Sequence, residues 1–229
     1  MEAPTSDALS WLALGDSYTI GEGVAEDGRW PELLVERLVA DGFPVGRSRV
    51  IATTGWTTDE LSTAMDLAEP LGRWELVSLL IGVNNQYRGR SVADYRGEFQ
   101  ALLKRAIALA GDRPDRVLVL SIPDWGVTAF ATAQGRDAEQ IAAEIDQYNA
   151  AAADLCARHG VAFVDITPLS RERGGDVAML VDDGLHPSQA MYALWAEAAL
   201  PVVEQMLGAR PDADQKILPD AGTGGTTPR

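Results

Sequence analysis

Ser17 stands in Gly15-Asp16-Ser17-Tyr18, directly after the apolar run Ser10-Trp11-Leu12-Ala13-Leu14. A serine that leaves a buried strand through a glycine-flanked turn sits at the sheet edge near backbone N–H groups, a placement that suits a nucleophile. Its hydroxyl is weak unaided and needs an adjacent base. The chain has two histidines. His186 lies three residues after Asp183 in Asp182-Asp183-Gly184-Leu185-His186-Pro187, so one short loop can join a carboxylate to an imidazole, a compressed form of triad logic. The same tetrapeptide also suits an N-capping aspartate ahead of a surface histidine. His159, in Ala157-Arg158-His159-Gly160, reads as a helix-terminal histidine with no part in chemistry. Acyl transfer further requires donors for a developing oxyanion. Gly55, in Thr53-Thr54-Gly55-Trp56, offers a backbone N–H, and Asn84, in Gly82-Val83-Asn84-Asn85, offers a side-chain amide. Both types also serve turns simply by tolerating positive φ.

Other chemistries find little support. Gly21-Glu22-Gly23-Val24-Ala25-Glu26 fails the dinucleotide spacing at its last position, and no phosphate-binding G-x-x-x-x-G-K-[ST] occurs. Neither histidine belongs to an H-E-x-x-H pair, so a zinc hydrolase is not expected. The single cysteine, Cys156, rules out an internal disulfide and a zinc-finger type of thiolate site. With 34 Asp and Glu against 19 Lys and Arg, the formal charge is −15, which repels a phosphate backbone and argues against nucleic acid as a partner. No stretch is long and apolar enough for a membrane span, and Met1-Glu2-Ala3-Pro4-Thr5-Ser6-Asp7 carries no basic or apolar leader pattern. A soluble, cytoplasmic protein is the expectation, with its oligomeric state left open.

The elements that must position these residues follow from periodicity. Short runs of apolar, often branched residues alternate with longer segments of helical period, the pattern of parallel strands joined by crossover helices. Strands are predicted at Ser10–Leu14, Arg49–Ala52, Leu76–Ile81, Arg116–Leu120 and Val161–Val164. Helices are predicted at Pro31–Ala40, Thr58–Met65, Val92–Ala110, Ala138–His159 and Pro187–Leu207, with Pro31 and Pro187 in first turns. Leu33, Leu34, Arg37 and Leu38 share one helical face, as do Tyr192, Trp195 and Ala199. The fold class is therefore α/β, a three-layer α/β/α sandwich spanning 1–208. Residues Ala209 to Arg229, rich in Pro, Gly, Thr and Asp, read as a mobile tail whose deletion should leave stability and activity nearly intact. In an open parallel sheet ligands bind at the carboxyl ends of the strands, which is where the polar blocks above fall.

Those four blocks in order, Gly15-Asp16-Ser17-Tyr18, Gly55, Gly82-Val83-Asn84 and Asp183-Gly184-Leu185-His186, resemble the SGNH (GDSL) hydrolases, a family of serine esterases and lipases, over residues 9 to about 205. The resemblance implies a flavodoxin-like five-stranded parallel sheet of order 2-1-3-4-5. It also implies Ser17 as nucleophile and oxyanion donor, Gly55 and Asn84 as further donors, His186 as base and Asp183 as its orienter. Tyr18 replaces the leucine of the family's name motif, and Asn85 stands where aspartate is frequent. The spacing G-x-S-x-G is not met at Ser17, so the larger α/β-hydrolase fold fits less well.

Aromatic residues in the same loops, Tyr18, Trp30, Trp56, Tyr87, Trp125 and Tyr192, suggest an apolar pocket, although core packing explains each equally. Asp16, Tyr18, Trp56, Asn85, Tyr87 and Trp125 are the expected substrate-pocket residues. Asp16, Glu22 and Asp182 would place negative charge at its mouth and favour neutral substrates. The expected function is a metal-independent and cofactor-independent serine esterase acting through an acyl-enzyme on small or medium acyl esters. Acetylated sugars, lysophospholipids and thioesters are all candidate substrate classes. An acyltransferase on the same site is the alternative, and a binding module with a degenerate site a third reading.

Overall fold

The computed structural model describes residues 8–208, so the tail expected at 209–229 lies outside the described residues. In chain order, β1 (Leu9–Gly15) is followed by a one-turn helix α1 (Ser17–Ile20), α2 (Trp30–Ala40), β2 (Val45–Ala52) and α3 (Thr58–Leu67). Then come β3 (Leu76–Leu80), another short helix α4 (Val83–Tyr87), α5 (Val92–Leu109), β4 (Val117–Leu120) and α6 (Ala129–Ala133). The chain continues through α7 (Ala138–His159), β5 (Ala162–Val164), α8 (Thr167–Arg173) and α9 (Gln189–Leu207).

The five strands form one parallel sheet of order β2-β1-β3-β4-β5, as the family resemblance implies. Helix α2 packs on α9, while α5 packs on α3 and α7, so the sheet is covered on both faces. Burial on both faces explains why the inner strands read as unbroken apolar runs. Trp11, Leu12, Ala13 and Leu14 of β1 and Leu76, Val77, Leu79 and Leu80 of β3 are all fully buried. At roughly 25 cal/mol per Å² of apolar area removed from water, such a core supplies the main stabilisation of the fold.

The register sets up the site. Gly15 of β1 lies opposite Ala52 of β2 and Leu80 of β3, so three strands end level and release Asp16-Ser17, Thr53-Thr54-Gly55 and Ile81-Gly82-Val83-Asn84 side by side. The turn at Gly82 has φ +128°, and a Cβ there would lie 2.5 Å from the Tyr95 ring. Only glycine fits, and the sharp exit is what starts α4 immediately behind β3.

The structure departs from the sequence reading in several places. Strand β2 begins at Val45, four residues before the predicted Arg49, because it is an edge strand whose exposed Arg47 and Arg49 hide the pattern. Arg37, assigned to the apolar face of α2, is instead half exposed and pairs with Glu197 of α9 at 3.0 Å. Pro187 is not in the first turn of α9. It forms an antiparallel bridge with Leu180, with Val181 N–H donating to His186 O (2.9 Å) and Ser188 N–H to Met179 O (2.9 Å), so the chain stays extended until Ser188. The short helices α1, α4, α6 and α8 span too few residues to show a helical period.

Candidate active site

Asp16 and Ser17 open the site. The Asp16 carboxylate accepts a hydrogen bond from Tyr18 N–H (3.0 Å) and caps α1, which places Ser17 on its first turn. Asp16 is completely buried. Burial pushes its carboxyl up to about 7, against the lowering effect of backbone N–H groups, and its second oxygen has no close hydrogen-bond partner among the described residues. Asp16 therefore supports the turn from behind and does not line the pocket, contrary to expectation.

On the last helix side, the antiparallel bridge holds the loop of Asp183 and His186. The Asp183 carboxylate accepts from the N–H groups of Leu185 (2.8 Å) and His186 (2.9 Å) through Oδ1, while Oδ2 lies 2.6 Å from His186 Nδ1. Partial burial raises the Asp183 carboxyl, but these hydrogen bonds outweigh it and hold the group below the usual carboxylate range. Asp183 thus does both things the tetrapeptide allowed, capping its own turn and gripping the ring. Gly184 O accepts from Phe130 N–H (3.0 Å), tying the loop to α6. The Tyr18 ring meets the imidazole edge-on at 6.0 Å, with Trp195 behind it at 5.9 Å.

The third wall is the Gly55 turn. Gly55 has φ +88°, and its carbonyl accepts from Arg88 Nη2 at 2.6 Å. Asn84 donates one amide hydrogen to Trp56 O (2.9 Å), so α4 and the residue after it hold the turn at two consecutive carbonyls. The N–H groups of Ser17 and Gly55 have no hydrogen-bond partner among the described residues. Ser17, Tyr18, Thr54, Gly55, Asn84 and His186 share one pocket of about 210 Å³, completed by Val83, Tyr87, Trp125, Phe130 and Leu185. Trp125 is fixed by donating from Nε1 to Gln86 Oε1 (2.8 Å) and meets Tyr87 edge-on at 5.4 Å.

The sequence profile of the GDSL-like lipase/acylhydrolase family matches residues 13–194. The chain belongs to that family. None of the curated proteins matches it significantly. Among solved structures, this GDSL hydrolase is similar to TesA, with 20% identity, a TM-score of 0.68, and 86% of this chain and 99% of that one covered. It is also similar to the psychrotrophic esterase EstA from a Pseudoalteromonas species, with 15% identity, TM-score 0.67 and coverage of 87% and 99%. A third is phospholipase A1 from Streptomyces albidoflavus, with 22% identity, TM-score 0.60 and coverage of 87% and 99%.

The other expected pocket residues of this GDSL hydrolase are divided by the fold. Tyr18, Tyr87 and Trp125 line the pocket. Trp56 does not, lining instead a separate groove with Asp59, Glu60 and Leu67 of α3. Asn85 is fully buried, donating to Thr58 Oγ1 (2.6 Å) and accepting from Thr58 N–H (3.1 Å), because one helical step turns it about 100° from Asn84. Trp30 and Tyr192 are core residues. His159 ends α7, with Nε2 3.4 Å from Gln100, and Cys156 is a buried thiol pushed up to about 12 by burial. Phe130 and Leu185 were not anticipated as pocket walls. Leu185 sits inside the Asp183–His186 block and could have been inferred from it, whereas Phe130 lies on the five-residue α6 with no pattern to mark it.

The Asp16 environment makes a pH-dependent prediction. A carboxyl raised to about 7 keeps its proton in the folded chain while the unfolded chain has ionised from about 4 upward. Its contribution is therefore complete below pH 4 and lost as pH rises through 7. Asp16→Asn, which keeps the acceptor for Tyr18 N–H, should gain stability relative to the parent between pH 5 and pH 8, by on the order of 1–4 kcal/mol. Urea melts at both pH values measure it, and a difference independent of pH would show that Asp16 is ionised throughout.

Proposed function

We propose that the protein hydrolyses small carboxylic esters through an acyl-enzyme on Ser17. The observation that carries this reading is the 2.6 Å contact of Asp183 Oδ2 with Nδ1 of His186, which lines the same pocket as Ser17, Gly55 and Asn84. With Nδ1–H donating to Asp183, Nε2 is left as the acceptor for the Ser17 proton. Ser17 Oγ bonds to the acyl carbon while its proton passes to His186. The carbonyl oxygen becomes an oxyanion facing the Ser17 and Gly55 N–H groups and the second amide hydrogen of Asn84. His186 returns the proton to the departing alkoxide, and water repeats the sequence to release the acid.

A pocket of about 210 Å³ lined by Tyr87, Trp125, Phe130, Val83 and Leu185 favours short to medium acyl chains. The structure of EstA, one of the similar proteins, is that of an enzyme inhibited by monoethylphosphonate, which supports the same class of chemistry here. A chain-length series of 4-nitrophenyl esters from acetate upward, with and without a competing alcohol, tests the proposal. Turnover highest on the shorter esters is expected. Acyl transfer to the alcohol outrunning hydrolysis would favour the acyltransferase alternative, and no turnover of any ester would favour a binding module.

Asn84→Ala should lower kcat by about 10²–10³ with less effect on KM, since a donor that strengthens in the transition state acts on chemistry. Asn85→Ala should mainly destabilise, by about 1–3 kcal/mol, because Thr58 N–H loses its buried acceptor. Steady-state kinetics and urea melts on both variants separate the two roles. A larger kcat loss in folded Asn85→Ala would overturn the assignment.

A further inference from the structure

Arg136 lies between α6 and α7, and its guanidinium carbon sits 5.1 Å from the Trp125 ring centre and 5.3 Å from that of Tyr87. Both rings are walls of the acyl pocket. The side chain is exposed, and no carboxylate lies within ion-pair distance of it among the described residues. Its sequence neighbour Asp137 is occupied at the start of α7, accepting from the N–H groups of Glu139 (3.0 Å) and Gln140 (3.1 Å). The other arginine beside the pocket, Arg88, is committed to Gly55 O and Glu60.

The two rings are inclined at 62° to each other, so the cation rests against both without lying flat on both, and a guanidinium held this way has edge N–H groups with which to meet a carboxylate. Of the three acidic residues expected at the mouth, the fold removes one. Asp16 is buried behind the turn, whereas Glu22 and Asp182 are exposed, with Glu22 accepting a hydrogen bond from Thr54 Oγ1. In a chain of formal charge −15, an anionic substrate is disfavoured by the overall field and needs a local cation to offset it.

We propose that Arg136 is a specificity-determining residue that selects acyl esters bearing a carboxylate at the far end of the acyl chain. The inference rests on the esterase reading above and names its substrate class. The aromatic walls guide the chain away from Ser17 and His186, and the cation resting against them meets its terminus.

The test compares kcat/KM for the 4-nitrophenyl monoester of adipic acid with that for its methyl-capped neutral counterpart, in the parent and in Arg136→Met and Arg136→Lys. A further substrate carries its carboxylate on the alcohol side. The parent should prefer the acyl carboxylate by about fivefold at low salt, the size expected of an exposed charge pair. Arg136→Met, which keeps an unbranched stem over the rings, should erase the preference, and Arg136→Lys should retain part of it. Raising salt to 0.5 M should shrink it in the parent. No preference in the parent, an unchanged ratio in Arg136→Met, or a preference confined to the alcohol-side carboxylate would overturn the proposal. Failure of the parent on every ester would overturn the esterase reading and this inference with it, whereas turnover of the neutral ester without discrimination overturns only the role of Arg136.

Discussion

Ser17→Ala should abolish both ester turnover and covalent labelling by a fluorophosphonate, with a loss in kcat of at least about 10³. In the parent, Ser17 Oγ displaces fluoride from phosphorus and its proton passes to His186, leaving one label on the peptide that contains Ser17. Two other serines near the site make the test discriminating. Ser170 is buried, with its hydroxyl donating to Thr167 O (2.7 Å) and accepting from Asp124 N–H (2.7 Å). Ser188 donates to Ala178 O at 2.8 Å. Both hydroxyls are engaged and far less suited to attack, so mass spectrometry that places the label on either would overturn the assignment. A chelator should leave the rate unchanged, because no step of the proposed mechanism uses a metal.

Asp183→Asn should lower kcat by about 10²–10⁴, while Asp182→Asn changes it by less than about tenfold. The reason is the double use of the Asp183 carboxylate. Oδ1 already accepts two backbone N–H groups, so the oxygen of an asparagine would take that place and turn its NH₂ toward His186 Nδ1. A donor there favours the tautomer with the proton on Nε2, which cannot take the Ser17 proton. Asp182 is exposed and contributes only a nearby charge. The two variants measured side by side decide the matter, and a greater loss at Asp182 would require the triad to be redrawn.

The sequence by itself determined the strands of the sheet and which residues stand at its rim. Buried parallel strands must be apolar on both faces, so Trp11–Leu14, Leu76–Leu80 and Val117–Leu120 were legible as runs, and helix α7 was readable at Ala138–His159 from its period. Polar blocks after β1, β2 and β3 marked Ser17, Gly55 and Asn84, because an open sheet binds ligands at those ends, while His186 was marked by its spacing from Asp183 ahead of α9. Contacts between elements distant in sequence were decided by tertiary structure. Adjacent Asn84 and Asn85 have identical side chains, and only the rotation of α4 against α3 sends one to the pocket and the other into the core. Asp16 looked like a mouth charge until packing removed it from water. Phe130 and Arg136 carry no local signal, since a five-residue helix is too short for a period and a ring stack joins residues about 50 positions apart for Tyr87 and Arg136. Side-chain direction at such positions depends on which surfaces meet, and that is settled only when the chain has folded.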